Sequence, residues 1–117
     1  MKENNLYSLD VLDMVQSQED KKELLAAFIS ESESCIKMFY EELKNRNLKE
    51  ISFFAHKLKS NFKLFQIREL YRTIEILEIK IESLTNVEIE ELINKINDVM
   101  VRVKNDINEK ILNKYNF

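Results

Sequence analysis

The chain contains one histidine, His56, set in Ala55-His56-Lys57-Leu58-Lys59-Ser60-Asn61-Phe62. A neutral imidazole offers a nucleophilic ring nitrogen, and such rings titrate near about 6.5, so that form is available around neutral pH. A lysine one helical turn away can offset negative charge arriving at the nitrogen. From 51 to 68 the chain carries Lys57, Lys59, Lys63 and Arg68 and no Asp or Glu, whereas the flanking segments are acidic and the formal net charge is -3. This local basic island suits a phosphoryl group or an acidic partner surface. It is a weak footprint for nucleic acid, and a lone imidazole without ligating neighbours is insufficient for a protein-held metal.

The elements that must position these residues can be read from the apolar spacing. A helix turns roughly 100° per residue, which places Ile51, Ala55, Leu58, Phe62 and Phe65 on one stripe. His56 lies roughly 140° from that stripe, beside Lys63 and within one turn of Lys59 and Ser60. It is therefore expected to face water. A core histidine is disfavoured, and a surface histidine without a role is the plain alternative.

With 117 residues and 44% hydrophobic content, the chain suits a single domain, 1–117, with one core and no room for a separate ATP-binding catalytic domain. Glycine and proline are both absent, which disfavours glycine-rich phosphate loops and tight hairpins and favours long helices. Cys35 falls among Phe28, Ile29, Ser32, Ile36 and Phe39 and reads as a small core residue. No long apolar run resembles a membrane span, so a cytoplasmic protein is expected.

Caps mark the helix boundaries. Leu9, Val11, Leu12 and Val15 suggest a short N-terminal helix over one end of the core. Ser17 is a candidate N-cap for a long helix that ends near Asn45. Asn47-Leu48-Lys49-Glu50 has capping-box spacing for a helix from about Leu48 to Leu64, which carries His56 near its middle. The next helix is expected to begin around Gln66 and turn Ile67, Leu70, Ile74, Leu77 and Ile81 inward. Thr85-Asn86-Val87-Glu88 is a second box, opening a helix whose stripe comprises Val87, Leu92, Ile96, Val99, Val103 and Ile107. Residues 111–117 either extend that helix or fray. Short connections between long helices predict an all-α fold, an antiparallel up-down-up-down four-helix bundle with a short additional N-terminal helix.

The segment Ala55-His56-Lys57-Leu58-Lys59, followed by Leu64, Ile67 and Leu70, resembles the histidine-containing phosphotransfer domain. The likeness covers nearly the whole chain, because that family has a short first helix and a four-helix bundle with its histidine exposed midway along the second bundle helix. By this resemblance His56 is the phosphorylated residue and Lys59 the motif lysine, and Ser60 replaces a small residue, often glycine. Gln66 stands where another glycine is common; its amide is a candidate to orient the imidazole or contact phosphate. Asn61 and Phe62 also depart from the family's small residues.

The resemblance implies reversible phosphoryl transfer between His56 and an aspartate of a receiver domain. The chain would act as a phosphorelay intermediate, with response-regulator receivers and a hybrid histidine kinase as candidate partners. No cofactor is expected on this chain, and the magnesium of the reaction is expected on the receiver. The expected docking surface surrounds His56 with Ser52, Phe53, Lys57, Ser60 and Lys63, together with exposed residues of the first long helix. The alternative function is a non-catalytic helical adaptor or inhibitor that binds receiver or kinase domains.

Overall fold

The computed structural model describes residues 6–112, and the side chains of residues 6–110. Its main helices are α1 (Gln18–Lys44), α2 (Leu48–Leu64), α3 (Tyr71–Ile79) and α4 (Asn86–Ile107). Helix α1 packs on α2, α2 on α3, α3 on α4, and α4 back on α1. The result is the four-helix bundle expected from the spacing, with the sequence-derived bounds of α2 reproduced. The short N-terminal helix is a 3-10 turn, Asp10–Met14, with Leu12 buried. It is tied to the bundle by Ser8 N donating to Phe65 O (2.7 Å) and by Tyr7 Oη donating to Asp106 Oδ2 (2.6 Å).

The core repeats the apolar stripes. Phe28 and Phe65 stack with ring centroids 4.1 Å apart, and Cys35 is buried two turns further along α1 than Phe28. The third wall is short as an α-helix because 3-10 segments, Arg68–Leu70 and Ile81–Ser83, flank α3. Its inward set remains continuous: Ile67, Leu70, Ile74, Leu77 and Ile81 are all buried. Helix α4 ends in a π-helical turn, Asn108–Leu112, so the helix extends at least that far; the expectation for 113–117 lies outside the described residues.

Three local expectations need correction. Asn47 makes no side-chain cap. Arg46 adopts a left-handed φ of 48°, which turns the chain back so that the Asn47 amide donates to Glu42 Oε1 (3.0 Å) and its backbone N–H to Glu42 O (2.9 Å). By contrast, Ser17 accepts from Asp20 N (3.0 Å), and Thr85 with Glu88 closes the reciprocal box. Second, α3 does not start at Gln66, which sits in the connection with φ 53°. In a chain without glycine, Arg46 and Gln66 occupy the left-handed positions that glycine takes most easily. Third, Val87 is exposed, while Ile89 and Ile93 are buried in its place; Val87 lies roughly 200° around the helix from Ile89.

Candidate functional site

Ser52, His56 and Lys59 follow one another at i, i+4 and i+7, so they form one row along the flank of α2 that faces α3. All three converge on Glu78, one residue before the end of α3. Ser52 Oγ donates to the Glu78 backbone carbonyl (2.6 Å). That carbonyl belongs to the last turn of α3, where no intrahelical donor remains, so the serine caps the helix and fixes the residue. The Glu78 carboxylate then reaches back: Oε2 lies 2.5 Å from His56 Nδ1, and Oε1 lies 2.7 Å from Lys59 Nζ. The lysine contact is an ion pair rather than an aligned hydrogen bond.

The electrostatics of the triad follow from its burial. The Glu78 side chain is only 16% exposed, against 68% for His56. Burial pushes the Glu78 carboxyl upward, but its contacts with Lys59 and His56 outweigh that and hold it below the usual carboxylate range. At neutral pH Glu78 is therefore an ionised acceptor, so His56 Nδ1 carries the proton in their hydrogen bond. The lone pair of the neutral ring then resides on Nε2, on an exposed side chain.

The other expected residues distribute around this centre. Ser60 and Lys63 are exposed on the outer surface of α2, and Phe53, one turn before His56, is 60% exposed. Lys57 turns to the opposite flank, 3.7 Å from Glu31 of α1, and Asn61 donates to the same glutamate (2.6 Å). Phe62 is core. Gln66 is not gathered into the site: it lies beyond the end of α2, and its Oε1 accepts from Arg68 (2.7 Å). The contact that orients the imidazole belongs to Glu78, which sequence reasoning missed. Its signal was present, because Glu78 follows Ile74 by one turn and adjoins Leu77, at the border of an inward stripe where a carboxylate needs cationic partners.

A family model of the Hpt domain matches residues 23–106, which include α2, α3 and every member of the triad. The chain belongs to the Hpt domain family. Searches of curated proteins and of solved structures returned no significant match. As an Hpt domain, the chain is a phosphorelay intermediate in histidine-to-aspartate transfer, a phosphocarrier without kinase activity of its own, and its family works with receiver and hybrid-kinase domains. Among the described residues, no group of three or more His, Cys, Asp or Glu is arranged to hold a metal ion, and no helix is long and apolar enough to cross a membrane.

Proposed function

We propose that His56 carries the phosphoryl group on Nε2, that Lys59 offsets its charge, and that Glu78 sets the tautomer. The observation that supports this most is the Nδ1 contact with Glu78 on an otherwise exposed ring. In the accepting direction the Nε2 lone pair attacks phosphorus, the P–O bond to the partner's aspartyl oxygen breaks, and the electron pair leaves on that carboxylate. The ring then carries a proton on Nδ1 and phosphorus on Nε2, so it is cationic, and the Glu78 carboxylate beside Nδ1 compensates that charge. No proton has to move. In the reverse direction the ring departs as a neutral imidazole, which makes the same geometry serve both donor and acceptor.

The partner is a response-regulator receiver domain, alone or within a hybrid kinase. Magnesium belongs with the acidic pocket of that receiver, and the setting is the cytoplasm. Ser60 and Lys63 lie where a receiver approaches Nε2: the first is small enough to let it close, and the second adds to the local positive field. The deciding experiment incubates the protein with a panel of phosphorylated receivers. One of them should label it with an acid-labile, base-stable phosphate, and folded His56→Gln should take none. Equal labelling of H56Q would reject the assignment, and stable receiver binding with no labelling of the parent protein would point to the adaptor role.

A further inference from the structure

Two serines meet carbonyls at the C-terminal end of α3, by different routes. Ser83 Oγ donates to Lys80 O (2.7 Å), three residues back in the chain and exposed. Ser52 Oγ donates to Glu78 O (2.6 Å) from α2, 26 residues away and half-buried. The first bond closes a local turn, whereas the second ties two helices together. A donor from elsewhere is needed because α3 gives out at Ile79 and a 3-10 segment, Ile81–Ser83, follows, so the Glu78 carbonyl lacks the backbone N–H that a continuing α-helix would bring to it.

Ser52 precedes His56 by one turn on α2, so one helix carries the hydroxyl and the imidazole, and one residue of α3 carries the carbonyl and the carboxylate they meet. The two contacts close a ring that runs from Ser52 along α2 to His56, through the Glu78 side chain to its backbone, and back to Oγ. A glutamate side chain has several rotatable bonds, and a carboxylate hung on a loose helix end would meet Nδ1 over a spread of distances. Tying the Glu78 backbone to the imidazole's own helix removes that spread, and a reacting ring is sensitive to small displacements. We propose that Ser52 is a positioning residue for phosphoryl transfer, one that holds Glu78 in register with His56 and acts through that carboxylate rather than by contact with the reacting atoms. This gives Ser52 a different part from the docking contact expected of it, and it rests on His56 as the carrier and on Glu78 as the group that sets its tautomer.

The test is a cycle of variants of the intact chain, with the phosphorylated receiver that labels it most strongly in the panel above. Ser52→Ala keeps α2, because alanine is the better helix former, and the freed carbonyl belongs to a residue that borders an open groove where water can replace the hydroxyl. The single-turnover rate at saturation should fall about five- to tenfold while the half-saturating receiver concentration stays within about twofold; loss of a docking contact would do the reverse. Ring ¹⁵N shifts of the protein alone should move part of the way toward the tautomer protonated on Nε2. In a Glu78→Ala background S52A should cost less than about twofold, since the group it acts through has gone. Ser83→Ala, which removes the cap that does not reach α2, should keep the parent's rate and shifts. Circular dichroism and melting accompany each variant, and the shifts of S52A against S83A carry the test if the double variant does not fold. An unchanged saturating rate in S52A, an equal loss in S83A, or a loss that persists in full without Glu78 overturns the proposal. If E78A alone leaves transfer unchanged, the part given to Glu78 falls and this proposal with it, whereas equal labelling of H56Q would remove the carrier itself.

Discussion

Two glutamates reach α2 from opposite sides with the same kinds of partner. Glu31 on α1 accepts from Asn61 and lies near Lys57; Glu78 on α3 meets His56 and Lys59. Their chemistry on paper is similar, a carboxylate with one lysine and one nitrogen donor. Their settings differ: Glu31 is 43% exposed and its lysine contact is 3.7 Å, whereas Glu78 is 16% exposed, its lysine contact is 2.7 Å, and its backbone is pinned by Ser52. Solvent screens the first group, while the second acts in a poorer dielectric where each contact is stronger. Burial and a fixed backbone, rather than residue type, thus separate the ion pair beside His56 from its counterpart on the other flank of α2.

The sharpest way to break this comparison is to remove each carboxylate in turn. Glu78→Ala should slow acceptance of phosphate by about 30- to 100-fold, the loss expected for a charged hydrogen bond that orients a reacting ring. Glu31→Ala should stay within about twofold of the parent, because it touches neither His56 nor Lys59. Ring ¹⁵N shifts separate a positioning role from a structural one: the free ring favours the proton on Nε2, so E78A should move toward that tautomer while its helical content is kept. Similar losses in both variants would end the distinction.

Lys59→Ala comes next in size. The Lys59 side chain is 24% exposed and its ammonium is paired to Glu78, so its removal should cost about tenfold in transfer rate and less than about 1 kcal/mol in stability. Single-turnover rates at matched receiver occupancy, with denaturant unfolding alongside, give both numbers. An unchanged rate would leave charge compensation to the partner's own groups.

How much of this was legible in the sequence depends on the range of the interaction. The bounds of α2, its apolar stripe and the outward direction of His56 follow from spacing within one helix, which periodicity reports directly. The capping boxes divide on the same ground: Thr85 finds its partner three residues on, whereas Asn47 is claimed by Glu42 of the preceding helix through a left-handed turn. Glu78 lies 22 residues from His56, and only the packing of α3 against α2 puts its carboxylate into a segment that is acid-free when read as a string. Lys57 and Asn61 were similarly redirected by Glu31, a contact that spans two helices.

Acid titration sharpens the contrast through stability. The Glu78 carboxyl lies below its ordinary value of 4.5 in the folded chain, so the unfolded chain binds its proton first as pH falls. The stabilisation from its pairing is complete above that ordinary value and disappears as pH drops through the lowered one. Glu78→Gln has no charge to lose there, so its stability should fall less steeply than the parent's below about pH 4.5, as read by denaturant midpoints at successive pH values. Parallel curves would show that the carboxylate's contacts contribute nothing net to folding.

The smallest effect concerns the end of α2, where Gln66 marks the limit of the site. A left-handed backbone costs a non-glycine residue about 1 kcal/mol, and glycine gives part of that back in unfolded-state entropy, so Gln66→Gly should gain roughly 0.5–1 kcal/mol, a few degrees in melting temperature. Its bond from Arg68 is exposed and little is lost with it. Arg46→Gly should gain less or lose, because the Arg46 guanidinium holds Leu84 O (2.9 Å) and Asn86 Oδ1 across the bundle end. Transfer in Q66G should keep the parent's rate, since the residue follows α2 more than two turns after His56 and faces Arg68 rather than the imidazole. A tenfold slowing in a more stable Q66G would give the glutamine amide a part in the chemistry and shift the working flank of α2 from Glu78 toward the end of the helix.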